Sequence, residues 1–295
     1  MNQITNAPQD DFIMRPTNDV CFCGLMENPV VRKYFCAAIL RVPPEKIKWT
    51  ELLPTHLRRD HANDKLRILD VRVHLQDRSQ INMEMQVKEF EYWDERVLFY
   101  LSKMYFGQLK SGETYKNLKK CIQVSILDFI YFPGDNRCYR TIHFRDDETG
   151  ELYSNKLELQ VLELKKLPPE VKTEKDIVRW MRFLNGKNRK EFENMAKTSE
   201  DMGIAYETLL KLSADDKKRI EYEAREKALK DYNSQISSAE RRGEKRGEKR
   251  GEQRGQKKGI YLARRVFKMY LQGATNEQIA SECHISVEKV RDILI

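Results

Sequence analysis

Long apolar runs are absent from this sequence of 295 residues. No stretch approaches the roughly 18 consecutive apolar residues that a membrane-spanning helix needs, so we expect no membrane partner. The first ten residues lack a basic segment followed by an apolar one, and we therefore expect no secretory signal. Hydrophobic residues make up 40% of the chain and aromatic residues 9%, which is enough for a folded core.

Cysteine pairs at metal-binding spacing are also absent. The six cysteines form no C-x-x-C motif, and His56 and His61 have no cysteine near them at the spacing of zinc ligands. Most of the cysteines fall within apolar helix or strand patterns. This usage predicts reduced, buried thiols in a cytoplasmic protein.

Positive charge is concentrated in one segment. The formal net charge is +8, and residues 241–259 hold nine lysines and arginines against three glutamates. This excess favours a polyanionic partner, of which nucleic acid is the commonest. Glycine recurs every fourth residue here and costs roughly 1 kcal/mol per position in a helix. We expect a basic linker or a marginal helix that contacts DNA through Arg246 and Arg250, with a solvated spacer as the alternative.

The pattern of the chain divides near residue 166. Before it, helical and strand-like segments alternate: a helix from Asp19 that Pro29 interrupts, a strand at 47–53, two strand-like runs at 68–75 and 81–87, a helix at 93–110, a buried strand at 118–129 and a hairpin at 140–164. After the Pro-Pro pair at 168–169 the pattern is helical throughout. The predicted class is therefore α/β, with an all-helical C-terminal region.

The last 35 residues resemble a helix-turn-helix. Thr275 and Gln278 form a capping box, a three-residue turn follows, and Ser286 caps a second helix. Lys289 and Arg291 are the basic residues of that second helix and are candidate DNA contacts. His284 stands where glycine is common. A small helical packing or dimerisation element is the alternative interpretation.

Two strand-like runs alternate polar and apolar residues. Asp70 shares one strand face with Arg72, and Glu84 shares the polar face of the next run with Gln86. With a turn centred on Arg78, residue 70 would lie opposite residue 86 and Asp70 would be diagonal to Glu84. Two carboxylates that close repel unless a proton or cation separates them, and Mg²⁺ suits carboxylate ligands. A solvated sheet face is the alternative.

This arrangement resembles the core of PD-(D/E)XK nucleases, with glutamine in place of the lysine. The surrounding blocks are similar to the recombination-promoting nuclease family, which are transposase-like proteins of bacteria. Those blocks are 15–22, 68–71, 82–86, 95–115 and 121–129. The resemblance implies a restriction-endonuclease-like core of helix, strand, hairpin, helix and strand. We divide the chain into this core (15–166), a helical region (167–232), the basic segment (233–260) and the C-terminal module (261–295).

The resemblance also implies DNA cleavage by phosphodiester hydrolysis. Asp70 and Glu84 would hold Mg²⁺, and Gln86 would orient the attacking water, although an amide is neither a base nor a cation. Asp19, Lys88 and Gln108 are expected accessory residues. A lysine is common in the family at the position of Cys23, so a phosphate contact is lost there.

Two further hypotheses come from other functional classes. Gln86 and Cys23 are also compatible with a catalytically decayed protein that has a DNA-binding or regulatory role. Residues 213–260 could pair as helices, which would make the chain an oligomerisation scaffold or a homo-oligomeric enzyme.

Overall fold

A computed structural model describes residues 12–54, 70–89, 91–171 and 173–295. Its strands are β1 (Thr50–Leu52), β2 (Val71–Leu75), β3 (Gln80–Gln86), β4 (Cys121–Leu127), β5 (Tyr139–Arg145) and β6 (Leu152–Glu163). Its α-helices are α1 (Asp19–Glu27), α2 (Pro29–Leu40), α3 (Trp93–Phe106), α4 (Asp176–Asn185), α5 (Arg189–Ala196), α6 (Glu200–Ala214), α7 (Asp216–Leu271), α8 (Asn276–Cys283) and α9 (Val287–Leu294). The chain forms two compact units, Met1–Glu226 and Lys227–Ile295.

The strands form a mixed sheet in the order β1-β2-β3-β4-β6-β5. Strands β1, β2 and β3 are antiparallel, whereas β4 runs parallel to both β3 and β6. Helix α3 is the crossover that two adjacent parallel strands require. The observed succession of α2, β1, the β2–β3 hairpin, α3 and β4 is the expected one, and the α/β class with a helical C-terminal region is confirmed.

The sheet is covered on both faces. On one face the apolar residues of β2, β3 and β4 pack with α1, α2, α4 and α6 in one core, whose largest aromatic side chains are those of Phe22, Phe35, Trp180, Phe183 and Phe192. On the other face, α3 packs against Cys121 and Leu127 of β4. The polar residues of β3 on this second face, Gln80, Asn82 and Glu84, are therefore buried. The alternative of a solvated sheet face is wrong.

The ranges 15–166 and 167–226 share this core. Met202 and Leu209 of α6 are fully buried in it, and a Cβ on Gly24 of α1 would lie 2.8 Å from the Leu212 side chain. The first turns of α7 also join this unit, because the Tyr222 hydroxyl accepts a hydrogen bond from the Arg15 amide at 3.3 Å. Helices α4 to α6 therefore complete the core that supports the sheet.

Helix α7 is continuous from Asp216 to Leu271. For the basic segment, where a linker and a helix were both open, the structure has a helix. In the second unit, Val266 of α7 packs with Ile279, Ala280 and Val290 of α8 and α9. The expected capping box of Thr275 and Gln278 is present, and Ser286 caps α9. No helix of the described residues is long and apolar enough to cross a membrane.

Candidate active site

The register of the β2–β3 hairpin determines where the two candidate carboxylates, Asp70 and Glu84, lie relative to each other. Its register pairs Val71 with Met83 and Val73 with Ile81, so the next position outward brings Asp70 beside Glu84. The predicted register, with residue 70 opposite residue 86, is wrong by two residues. Arg78 adopts a left-handed conformation with φ of 66°, and this closes a three-residue loop after Leu75. The turn is thus centred on residue 77 rather than 78, which places the two carboxylates opposite one another rather than diagonally.

Asp70 immediately precedes β2 and is held by the neighbouring strand. Its Oδ2 accepts a hydrogen bond from the Met85 amide at 2.9 Å. Burial raises the pKa of the Asp70 carboxyl to about 6, and the negative charge of Asp19 acts in the same direction. The Met85 hydrogen bond and Arg96 partly offset this effect. Asp70 is thus fixed in direction while its charge is poorly compensated.

Glu84 lies in the middle of the sheet and is 0% exposed. Arg96 of α3 places its Nη2 3.5 Å from Glu84 Oε1, and Gln123 Nε2 donates to Oε2 at 3.4 Å. Among the described residues Oε1 has no hydrogen-bond partner. Burial raises the pKa of the Glu84 carboxyl to about 7, against the opposing effect of Arg96.

Gln123 and Arg96 were not predicted as site residues. Asn82 Nδ2 donates to Gln123 Oε1 at 2.8 Å, which aims the Gln123 amide at Glu84. The available signal was one glutamine in an otherwise mostly apolar strand. Arg96 lies within a block that carries the resemblance, but no role was predicted for it. Both contacts join elements that are distant in the chain, which a strand pattern does not reveal.

Helix α1 lines the cleft beside Asp70. Asp19 is its first residue, after the Asn18 cap, and lies with Asp70 in a cleft of about 440 Å³ that Cys23, Arg72 and Lys218 also line. The Cys23 thiol donates to the Asp70 carbonyl oxygen at 3.3 Å. Burial raises the pKa of the Cys23 thiol to about 12, so this side chain stays neutral.

Sequence comparison agrees with this architecture. A family model described as PD-(D/E)XK nuclease family transposase matches residues 21–239, which is most of the chain. The chain belongs to this family. No curated protein and no solved structure gives a significant match. The resemblance inferred from the motif blocks is confirmed, and membership of this nuclease-type transposase family accounts for the mixed sheet with its helical C-terminal region.

Of the other expected site residues of this family member, two lie near Glu84 in the chain and one does not. Gln86 ends β3 two residues beyond Glu84 and is half-buried, and Lys88 follows the end of that strand. Gln108 lies elsewhere: its amide donates to the Lys119 carbonyl oxygen at 3.0 Å and accepts from the Lys119 amide at 2.8 Å. Since this contact is beside Cys121, at the opposite end of β4, the structure does not bring Gln108 to the site.

The expected DNA contacts lie in the second unit. Arg246 and Arg250 are exposed on α7, and Lys289 and Arg291 are exposed on α9. A three-residue turn separates α8 from α9, and His284 within it has a φ of 53°. His284 thus adopts the left-handed conformation for which glycine is the common residue. A short turn thus joins α8 to α9, and both basic residues of α9 lie on its surface.

The donor set fits a divalent cation. Asp70 and Glu84 are opposed carboxylates, and Oε1 of Glu84 is a buried acceptor that has no hydrogen bond within the described residues and only the Arg96 guanidinium at 3.5 Å. The described residues contain no group of three or more histidine, cysteine or acidic side chains arranged as a metal site. Two carboxylates with retained water and substrate oxygens is the pattern that Mg²⁺ prefers.

Proposed function

We propose that this chain is a Mg²⁺-dependent DNA endonuclease of the transposase or recombination-promoting type. The observation that carries the proposal is the pair formed by Asp70 and Glu84, two opposed carboxylates whose pKa values are both raised. Keeping two such groups together destabilises the protein, and clustered perturbed carboxyls of this kind are characteristic of catalytic sites.

Asp70 and Glu84 would hold one or two Mg²⁺ ions. When bound, the metal polarises the scissile phosphate and lowers the pKa of the attacking water. The protein contributes orientation: the Met85 amide fixes Asp70, and Gln123 fixes Glu84. Gln86 hydrogen-bonds the water, and Asp19 and Lys88 are accessory residues, the first from α1 and the second as a source of positive charge.

Plasmid nicking tests this proposal. Wild-type protein is compared with Asp70→Ala, each with Mg²⁺ and with EDTA. Asp147→Ala is the matched control, because Asp147 is an exposed carboxylate in the β5–β6 turn. We expect nicking by the wild type and the control only with Mg²⁺, and none by Asp70→Ala. Equal nicking by all three proteins would reject the proposal.

One observation favours a second candidate, a catalytically decayed DNA-binding or regulatory protein. Arg96 lies 3.5 Å from Glu84, so the site holds an internal cation while Gln86 supplies none. Binding of labelled duplex without cleavage in any divalent metal would favour this candidate. Cleavage that needs Asp70 would reject it.

We further propose that the second unit adds DNA affinity through Arg246, Arg250, Lys289 and Arg291. Deletion of residues 241–295 retains the complete first unit. It should weaken duplex binding and reduce its salt dependence, because fewer counterions are released. Light scattering of the same truncation tests homo-oligomerisation through α7: an unchanged oligomeric state would exclude the deleted segment as the interface.

A further inference from the structure

Arg72 lies on the same face of the hairpin as Asp70. The two residues are two positions apart, which places Arg72 about 7 Å further along the strand direction. Arg72 is half-buried and pairs across the hairpin with Asn82. It has no role in the proposed cleavage step, yet it is the charged residue of β2 nearest to Asp70.

Three other cations near the site have a carboxylate partner. Lys218 lies 3.2 Å from Glu27, and Arg225 lies 2.7 Å from Asp19. Arg96 faces Glu84, as described above. These cations are therefore at least partly neutralised by the protein itself.

Arg72 differs from these cations. Its Nε and Nη2 donate to the amide oxygen of Gln80 at 3.2 Å and 2.6 Å, and within the described residues it has no carboxylate partner. Burial lowers the pKa of the Arg72 guanidinium. A partly desolvated cation held only by a neutral amide is costly, because buried charges are normally paired.

Gln80 fixes the direction of this guanidinium. It is buried at the start of β3, and its backbone amide is bound to the Lys120 carbonyl oxygen at 2.9 Å. Because the Gln80 contact uses the Nε–H and one N–H of Nη2, the N–H groups of Nη1 and the second N–H of Nη2 are left for a ligand. The arginine is therefore pre-oriented, which reduces the entropy cost of binding an anion.

Arg72 also connects two cavities. It lines the cleft of about 440 Å³ that contains Asp70, and it lines an adjacent groove of about 980 Å³ together with His74, Arg78 and Lys119. A chain that extends from the Asp70 cleft into this groove must pass the guanidinium.

We propose that Arg72 binds a backbone phosphate of DNA beside the cleavage position, with Gln80 as its positioning residue. A phosphodiester supplies the missing negative charge, and its two free oxygens match the fork of a guanidinium. The cleavage position rests on the proposed function, whereas the phosphate contact itself does not require cleavage.

The test measures binding rather than cleavage. Affinity for a short fluorescein-labelled duplex is measured over a salt series in full-length Asp70→Asn protein, which prevents turnover. Adding Arg72→Gln should weaken binding about tenfold or more and reduce the salt slope by about one. Arg145→Gln is the matched control, since Arg145 is an exposed arginine of β5 that donates to the Gly150 carbonyl oxygen, and it should leave both values unchanged.

A second variant leaves Arg72 in place but compensates its charge. Gln80→Glu places a carboxylate against the guanidinium and should weaken binding as Arg72→Gln does, with melting temperature as the check on folding. Unchanged binding in both variants overturns the inference, as does an equal loss in Arg145→Gln. Wild-type protein that binds DNA through Arg72 without cleaving it would reject only the nuclease proposal. Wild-type protein that cleaves, with binding indifferent to both variants, would reject only the phosphate contact.

Discussion

Two glutamates of the same sheet are both 0% exposed, but their surroundings differ. At the end of β6, Glu163 accepts hydrogen bonds from the amides of Tyr131 and Phe132 at 2.8 Å and 3.0 Å. Lys166 also lies 3.1 Å from it. Within the part of the chain that the structure describes, Glu84 has two long contacts and one oxygen without a hydrogen bond.

In the function that we propose, this difference separates a carboxylate that stabilises the fold from one that takes part in the reaction. Buried polar groups are nearly always satisfied, because an unmade hydrogen bond costs free energy. Glu163 follows that rule and anchors the chain near residues 131–132. Glu84 departs from it in the cleavage site that we propose, and such departures are expected where a ligand completes the set of partners.

Loss of cleavage is the largest expected effect. Glu84→Gln keeps the size of the side chain but removes a charge that would hold the metal, and the metal is worth several kcal/mol of transition-state stabilisation. We expect the nicking rate to fall at least about 100-fold. Glu163→Gln, measured as rate per folded molecule, is the matched control and should stay close to wild type. A similar fall in both variants would remove the distinction between the two glutamates.

The two substitutions should have the opposite order of effect on stability, with Glu163→Gln the more destabilising. Glu163→Gln leaves Lys166, whose side chain is only 6% exposed, without its buried anion. Removing one partner of a buried pair costs roughly 3–5 kcal/mol. Urea denaturation should therefore show a large decrease in the free energy of unfolding for Glu163→Gln. Glu84→Gln should not decrease it at neutral pH, and an equal decrease would contradict our interpretation.

The pH dependence of stability sharpens the comparison further. The Asp70 and Glu84 pKa values are raised to about 6 and about 7. Between the ordinary carboxyl pKa values and these, the folded state binds more protons than the unfolded state. These groups therefore make the metal-free protein less stable as pH rises from about 4 to about 7.

Urea denaturation in EDTA at pH 5 and pH 8 measures this contribution. Glu84→Gln should reduce the loss of stability between the two pH values by on the order of 2 kcal/mol. Mg²⁺ should restore stability to the wild type at pH 8 and much less to Glu84→Gln. An identical pH profile in EDTA for the two proteins would show that Glu84 does not carry this penalty.

Sequence alone predicted part of this site. The period-two alternation correctly separated the two faces of the hairpin, and the motif blocks identified the family. The register was wrong because the left-handed residue of the turn is Arg78 and not a glycine, so its conformation leaves no mark in the sequence. The pairing of Arg96 with Glu84 depends on how α3 crosses the sheet, which local patterns do not encode.

Helix α7 shows a different limit. Glycine at every fourth position lowers helix propensity, and a basic linker or a marginal helix was therefore expected there. The structure is helical across the interval. Intrinsic propensity is a weak guide when a segment continues from helical neighbours on both sides, since extending a helix is far easier than nucleating one.

The smallest expected effect comes from a carboxylate that is satisfied but exposed. Asp146, in the β5–β6 turn, accepts from the Thr149 amide at 2.7 Å and the Thr149 hydroxyl at 2.8 Å. These bonds lower the pKa of the Asp146 carboxyl. Asp146→Ala loses the turn contacts, but water replaces them, so we expect a decrease in melting temperature of less than about 3 °C.

The third carboxylate, Asp146, distinguishes the effect of burial on stability from the effect of hydrogen bonding. If Asp146→Ala destabilised the protein as much as Glu163→Gln, hydrogen bonding alone would explain the importance of Glu163, and burial would add little. A small effect at Asp146 and a large one at Glu163 would mean that burial sets the cost. In that case Glu84, which is equally buried but poorly hydrogen-bonded, should destabilise the metal-free protein by a comparable free energy. Metal binding should remove this destabilisation.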